Sequence, residues 1–321
     1  MNTTLPRHAP VALQSRGDLV ESVHYGSAVV LSSAGEVLYS IGDPDALFYP
    51  RSALKPLFAA GMHDAGAQLT HEQLALAAAS HSGAARHQEV ALSTLAAAGL
   101  DESALANSLD LPYGPAERAA FLAAGGSPTR LAQNCSGKHA ALVALCAARG
   151  WPVAGYLQPG HPVADLLAGS VSTLTGAVPA VASTDGCGTP VYALTLTALA
   201  RAFSRLATAP AGTGARAVAD AMSAHPELVA GEGRDVTAFM RAVPGSIAKD
   251  GFEGIQVAAL PDGTAVAVKV SDGGDRARMP VATAALLRAV CDAELAAALD
   301  PLTRVSVLGG GEHVGWLDAA F

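Results

Sequence analysis

The chain has 321 residues, of which 50% are hydrophobic and only 15% are charged, and its formal net charge is −8. This composition excludes an intrinsically disordered chain, and the acidic balance provides no electrostatic footprint for a nucleic-acid partner. The length fits one large domain or two modest ones.

The sequence also contains no segment that predicts a membrane span, because Arg, Asp, Pro or Gly interrupts each long apolar stretch within about 18 residues. Residues 1–10 are not followed by the apolar core of an export signal, which predicts a cytoplasmic protein with reduced thiols. Its cysteines are therefore candidates for packing, metal binding or catalysis and not for disulfides. There are four, at Cys135, Cys146, Cys187 and Cys291.

Taken in chain order, the hydrophobic pattern predicts strands at both ends and helices between them. Residues 1–17 are polar and contain proline, which predicts a loose arm before one domain over residues 18–321. The predicted strands are 23–31, 36–41, 255–260, 265–270 and 304–308, the first four forming two hairpins. The predicted helices are 54–64, 71–79, 87–98, 115–123, 137–149, 162–174, 191–206, 215–223 and 280–299. This order favours an α/β (α+β) fold in which one antiparallel sheet is covered by helices and a helical lobe is inserted.

The first segment that could carry catalytic chemistry is Arg51-Ser52-Ala53-Leu54-Lys55-Pro56. Ser52 and Lys55 are three residues apart, so on one helical turn they share a face, as in serine acyl-transfer enzymes where a neutral lysine takes the serine proton. The alternative interpretation is a serine cap followed by a solvated lysine. Pro56 cannot donate to the carbonyl of Ser52, which predicts a 3₁₀ turn there or a helix that begins later.

Other polar segments carry weaker signals, each with a structural alternative. The Cys135 thiol stands near Lys138 and His139 at a predicted helix start, where a thiol pKa falls and anions bind, although a single cysteine there is more often packing. Lys269 lies within an otherwise apolar strand and is either functional or an edge lysine. The remaining segments are 79–83, which can equally be a helix C-cap, the Gly-rich turn 183–190, the run 225–234 and the run 249–254. No glycine-rich phosphate-binding motif occurs, so no organic cofactor is expected.

Together these segments resemble one family, the asparaginase II family or rhizobial-type (class 3) L-asparaginases. The motifs that carry the resemblance are R-S-A-L-K-P, A-S-H-S-G, N-C-S-G-K-H, T-D-G-C, H-P-E-L-V-A-G-E-G-R and V-K-V-S-D-G. They occur in the expected order from about residue 19 to residue 272. The resemblance implies a fold similar to serine β-lactamases and serine-dependent glutaminases, and a homodimer.

The same resemblance implies a site. It implies two Ser-Lys pairs, Ser52 with Lys55 and Ser80 with Lys269. It implies a metal position, typically zinc, at Cys135, Lys138 and Cys187. It also places Arg51, Asp185 and His139 near the substrate. The run 249–254 departs from the rhizobial enzymes, which leaves the substrate preference open.

The predicted function is hydrolysis of L-asparagine to L-aspartate and ammonia, with Ser52 attacking the amide carbon and Lys55 accepting its proton. Arg51 would hold the α-carboxylate and Asp185 the α-ammonium. One alternative keeps the acyl-serine chemistry with glutamine or a β-lactam as substrate. A second is a non-catalytic, metal-dependent binding protein in which the Ser-Lys spacing is accidental.

Overall fold

The computed structural model describes residues 5–321 of the chain. Residue contacts divide it into two units, each interrupted in sequence by the other. The first, here the sheet unit, comprises the chain up to Ala53 together with Leu194–Ala207 and Ala238–Phe321. The second, here the helical unit, comprises Leu54–Ala193 and Thr208–Thr237. The helical middle predicted from the sequence is thus a unit of its own.

Within the described residues, the sheet unit contains one antiparallel sheet of eight strands: β1 (Ala9–Arg16), β2 (Leu19–Leu31), β3 (Val37–Ile41), β6 (Ile247–Gly251), β7 (Ile255–Ala259), β8 (Ala265–Val270), β9 (Arg304–Gly309) and β10 (Glu312–Ala319). Their order in the sheet is β6-β7-β8-β2-β1-β10-β9, with β3 also paired to β2. The two short strands of the helical unit, β4 (Ala182–Thr184) and β5 (Pro190–Tyr192), pair with each other.

The helices follow the same division. In the sheet unit, α7 (Leu196–Ala207) and α11 (Asp275–Val290) pack against β8, β2 and β7, and α12 (Ala293–Leu299) follows α11. The helical unit contains α1 (Lys55–Asp64), α2 (His71–Ala77), α3 (Ala85–Ala97), α4 (Pro115–Ala123), α5 (Ser136–Arg149), α6 (Pro162–Thr175), α8 (Gly214–Ala224) and α9 (Pro226–Val229). Helix α10 (Asp235–Ala242) continues from one unit into the other.

The core of the sheet unit is built on its central strands. Residues 28–31 of β2 are fully buried between β8 and β3, and the helices α7 and α11 cover the apolar side chains of β7 and β8. Burial of continuous Val, Ile and Ala runs on these strands is the main favourable term for this unit. The structure therefore confirms the predicted fold class of an antiparallel sheet covered by helices.

The predicted loose arm over residues 1–17 is wrong for residues 9–16, because they form β1. This strand pairs with β2 on one side and with β10 on the other. Its partner β10 comes some three hundred residues later, so no local periodicity can indicate the pairing. Residues 1–4 of the predicted arm lie outside the described residues. No helix in the described part of the chain is long and apolar enough to cross a membrane.

Candidate active site

A buried Ser-Lys pair lies within the helical unit, but its serine is Ser80. Lys55, the first residue of α1, is 1% exposed, and its Nζ donates to Ser80 Oγ at 3.0 Å and to Ala79 O at 2.6 Å. Ser80 is itself 3% exposed. An amine held in this way can exchange a proton with the hydroxyl through a desolvated hydrogen bond of ordinary length. The pair is therefore suited to proton transfer.

The segment that presents Ser80 is held by hydrogen bonds and not by helix geometry, because α2 ends at Ala77. The Ser80 and Ser82 N–H groups donate to the carbonyls of Val229 and Ala230, at 3.0 and 2.7 Å. On the other side, the His81 N–H donates to Asn134 O at 3.2 Å. Residues 79–82, which the sequence equally allowed as a simple helix cap, thus bridge two separate parts of the helical unit.

Two thiols and a lysine meet beside this segment. Cys135 is the N-cap residue of α5, Lys138 lies in the first turn of that helix, and Cys187 lies in the turn between β4 and β5. Lys138 Nζ donates to Cys187 Sγ at 3.0 Å and to Thr189 Oγ1 at 2.7 Å. All four side chains are at most 4% exposed. The structure therefore brings together the three residues predicted to hold a metal.

Of the two thiols in this cluster, Cys187 is the one that carries the negative charge. A hydrogen bond from the Cys135 thiol, together with the Lys138 ammonium, lowers the pKa of Cys187, whereas the same hydrogen bond and burial raise the pKa of Cys135. Burial opposes the positive charge of Lys138, but the two sulfurs raise its pKa overall. A thiolate and an ammonium thus balance each other in a site shielded from water.

His139 faces the same cluster from the first turn of α5. Tyr156 OH accepts from the Ala106 N–H at 3.1 Å, so it donates its own proton to His139 Nδ1 at 2.6 Å. Burial lowers the pKa of His139 to about 4, which keeps the ring neutral with its proton on Nε2. That nitrogen has no hydrogen-bond partner at normal length, and Cys187 is the group that most strongly opposes the effect of burial on the pKa of the ring.

The start of α5 approaches α2 closely, and this contact links the cluster to the Ser-Lys pair. A Cβ on Gly137 would overlap the backbone and side chain of Leu76, so a larger residue cannot fit there. One residue earlier, Ser136 Oγ is hydrogen-bonded to His81 Nε2 at 2.9 Å. The positive charge of Lys55 also reaches Cys135 and His139. The pair and the thiols are therefore neighbouring parts of one candidate site.

Asp185 lies at the edge of the thiol cluster, in the turn that carries Cys187. Its N–H donates to Thr189 O at 2.9 Å, and its carboxylate accepts from the Gly186 N–H at 2.8 Å. The carboxylate also contributes to the raised pKa of Lys138. Asp185 is half-buried, so part of its carboxylate surface is accessible.

Ser52 and Arg51 belong to the sheet unit. A 3₁₀ turn over Arg51–Leu54 leads into α1, which begins at Lys55, as the position of Pro56 predicted. Ser52 is half-buried in this turn. Arg51 has a φ of 53°, uncommon for a residue with a side chain, and its guanidinium lies 5.4 Å from the centre of the Phe252 ring.

Lys269 and Lys249 are the lysines of the sheet unit. Lys269 Nζ donates to the carbonyls of Glu253 (2.7 Å) and Val270. Lys249 on β6 is fully buried and forms an ion pair with Asp250. In the sequence, Lys249 lies in the candidate run 249–254 but stands out only by composition, because the chain has four lysines and the other three belong to the predicted site.

The thiol cluster fits a zinc ion by the chemistry of its donors. Two soft sulfurs and one amine nitrogen suit zinc and leave a coordination position open. Among residues 5–321, no three His, Cys, Asp or Glu side chains are grouped as metal ligands, so Lys138 is needed as the third donor. In that role its amine must be neutral, and metal binding would release a proton.

His87 supports the Ser80 segment and should make the stability of the protein depend on pH. Its ring stacks on His81 at 4.9 Å, its Nδ1 accepts from the Ala84 N–H at 3.1 Å, and its Nε2 donates to Glu227 O at 2.9 Å. Burial lowers its pKa below 6.5, outweighing the opposing effects of Glu227 and a second glutamate. The unfolded chain therefore takes up this proton first as the pH falls.

We accordingly expect the free energy of unfolding to decrease below about pH 6.5, by at most about 1.4 kcal/mol per pH unit from this one proton. Urea unfolding between pH 7.5 and 5 measures it. A His87→Asn variant retains an acceptor but cannot titrate, so its unfolding midpoint should change less over this range. An equal pH dependence in both proteins would contradict the assignment.

The chain is similar to known proteins in sequence and in fold. A family profile described as L-asparaginase II matches residues 12–319, beyond the stretch in which the motifs occur. No curated protein matches the chain. A solved β-lactamase from Mycobacterium bovis is 18% identical, covering 87% of this chain and 95% of its own, with a TM-score of 0.45. The structure of Mglu in its native form is 16% identical, with coverages of 89% and 66% and a TM-score of 0.43. EstCE1, a hydrolase with promiscuous acyltransferase activity, is 15% identical, with coverages of 83% and 93% and a TM-score of 0.41.

Proposed function

The chain belongs to the L-asparaginase II family, and from that premise we propose how this amidohydrolase cleaves the side-chain amide of L-asparagine. The observation that carries the proposal is the buried hydrogen bond from Lys55 Nζ to Ser80 Oγ, at 3.0 Å. Ser52 precedes Lys55 by three residues and is less buried than Ser80. Lys55 is thus hydrogen-bonded to Ser80 and lies three residues after Ser52 in the chain.

In the proposed reaction Ser52 Oγ attacks the amide carbon while Lys55 accepts the serine proton. Ser80, hydrogen-bonded to Lys55, passes that proton to the leaving nitrogen, so ammonia departs and an aspartyl ester remains on Ser52. Water then attacks the ester carbonyl and gives up a proton to Lys55, which passes it to Ser52 Oγ as the ester C–O bond breaks and aspartate leaves. The participation of Lys269 in this relay stays a prediction from the sequence.

The substrate is a zwitterion and needs an anchor of each sign. We assign Arg51 to the α-carboxylate and Asp185 to the α-ammonium, because the family resemblance implies that both lie near the substrate and their charges are complementary to these groups. His139 would border the substrate beside the thiols. Its neutral ring can donate a hydrogen bond from Nε2 without adding a charge, because Nδ1 already accepts from Tyr156.

Cys135, Lys138 and Cys187 are the residues that would hold zinc. A metal bound there supplies Lewis-acid polarisation of a nearby oxygen. Without it, the same residues form the hydrogen-bonded thiolate-ammonium group already described. We further propose that the protein is a cytoplasmic homodimer, again as the resemblance implies.

Elemental analysis of protein purified without chelator should find about one zinc per chain. The double variant Cys135→Ser, Cys187→Ser should lose it, because hydroxyl groups are poor zinc ligands. Cys291→Ser is the matched control, since this thiol is exposed and outside the cluster. Equal zinc content in the double variant and the control would place the metal elsewhere.

The proposed substrate is tested with two assays on the same preparation. One measures ammonia release from L-asparagine and from L-glutamine, and the other measures nitrocefin hydrolysis. We expect the largest kcat/KM with asparagine. Turnover of glutamine or nitrocefin above that of asparagine would contradict the proposed substrate, and no turnover of any of them would favour a binding protein.

A further inference from the structure

A cavity lies wholly within the sheet unit, on the sheet face that carries Lys269. Its volume is about 220 Å³, which suits a ligand of only a few heavy atoms. Its wall combines apolar side chains, among them Leu47 and Leu196, with the polar side chains of His8, Asp43 and Lys269. A small cavity that contains an ammonium and a carboxylate together is a dipolar environment.

The strand register explains why these groups meet. Ser27 on β2 lies directly opposite Lys269 on β8, so both side chains point to the same face of the sheet. Ser27 Oγ accepts from the Asp43 N–H at 2.7 Å and is hydrogen-bonded to His8 Nδ1 at 2.9 Å. Gly42, with a φ of 74°, allows the close turn that brings Asp43 over Ser27. The carboxylate and the imidazole are therefore fixed beside the lysine.

The lysine retains capacity for a ligand. An ammonium has three protons, and two of those of Lys269 donate to the carbonyls of Glu253 and Val270. Burial lowers the pKa of Lys269 even though Glu253 and Asp272 oppose this, so its positive charge is incompletely compensated. An anionic group in the cavity would stabilise that charge.

The charges of Lys269 and Asp43 both act on His8, which also lines the cavity. After burial, the largest effect on the pKa of His8 is the positive charge of Lys269, which lowers it, and the next is Asp43, which raises it. The imidazole thus lies within electrostatic reach of a cation and of an anion. Asp43 accepts one hydrogen bond on Oδ2, from the Arg7 N–H at 3.1 Å, and a carboxylate can accept several.

We propose that this cavity binds a compact dipolar ligand, an α-amino acid with a small apolar side chain, whose carboxylate meets Lys269 and whose ammonium meets Asp43. Leu47 and Leu196 provide the apolar wall for its side chain. Lys269 is thereby assigned to ligand binding, as an alternative to the proton-relay role that the sequence predicts for it. The proposal does not depend on the reaction assigned to the Ser-Lys pair.

Equilibrium dialysis of isotope-labelled L-alanine against the full chain tests the site. We expect saturable binding that weakens at least about tenfold in Asp43→Asn and in Lys269→Met, since each removes one charged hydrogen-bond partner. Ala46→Trp should abolish it by filling the cavity. Asp45→Asn is the matched control, because this exposed carboxylate lies two residues from Asp43 and does not line the cavity.

Two analogues of the probe test its two charges separately. N-acetyl-L-alanine lacks the ammonium and L-alaninamide lacks the carboxylate, so both should compete with labelled alanine at least about tenfold more weakly than L-alanine itself. Circular dichroism establishes that each variant is folded. Binding that persists unchanged in folded Ala46→Trp, or equal competition by either analogue, would overturn the proposal, as would the absence of saturable binding.

Discussion

Replacing Ser52 with alanine is expected to lower kcat for L-asparagine at least about a thousandfold while the protein remains folded. The reason is that a nucleophile acts as a unit with its base, and the remaining groups cannot form the acyl-enzyme without it. Ser52 is half-buried in a 3₁₀ turn and is not among the core residues, so its loss should cost little stability. Steady-state ammonia release together with circular dichroism measures both effects.

Two further variants make the Ser52 result specific. Ser33→Ala, in the exposed turn between β2 and β3, should retain full activity. Ser80→Ala should reduce kcat by a smaller factor than Ser52→Ala, because Ser80 transfers a proton and forms no bond to carbon. Activity lost only in Ser80→Ala would reverse the roles of the two serines.

The second large effect is expected at Lys55. Changing it to methionine retains the buried aliphatic stem but removes the donor to Ser80 Oγ and Ala79 O. We expect kcat to fall at least about a hundredfold, the usual contribution of a positioned base. The free energy of unfolding should fall by about 1–3 kcal/mol, because the Ala79 carbonyl loses a hydrogen-bond donor.

Lys55→Arg separates the base from a simple positive charge. Guanidinium stays protonated throughout the working pH range and cannot accept the serine proton, so it should not restore turnover. Urea unfolding would report whether the larger side chain is tolerated in this buried position. A folded Lys55→Arg enzyme with kcat near that of the unchanged protein would show that Lys55 serves as an electrostatic anchor and that another group is the base.

Local chemistry explains which parts of the fold were predictable. The hairpin between β2 and β3 was predicted from its small turn residues, and the Gly35 N–H indeed donates to Ser32 O. The hairpin of β7 and β8 was likewise predicted, around Gly263, whose φ is 92°. Strands β1, β6 and β10 were missed because their formation depends on partners distant in the chain, which hydrophobic periodicity does not report.

Some contacts in the candidate site, like some of the strands, could not be predicted from local sequence. The thiols of Cys135 and Cys187 were grouped only through the family resemblance, since spacing alone cannot bring together two turns from separate elements. The structure does place both against Lys138. The partner of Ser80 could not be found from spacing either, because the Lys55 side chain reaches it from a different element.

The most direct test of the proposed reaction is mass spectrometry of the rapidly quenched enzyme during turnover of L-asparagine. We predict one aspartyl group in ester linkage on the peptide that contains Ser52, at lower occupancy in Ser80→Ala, where acylation lacks its proton relay. Free aspartate should then form from the ester at a rate consistent with kcat. An aspartyl group on Ser80, or ammonia release without any covalent intermediate in either protein, would contradict it.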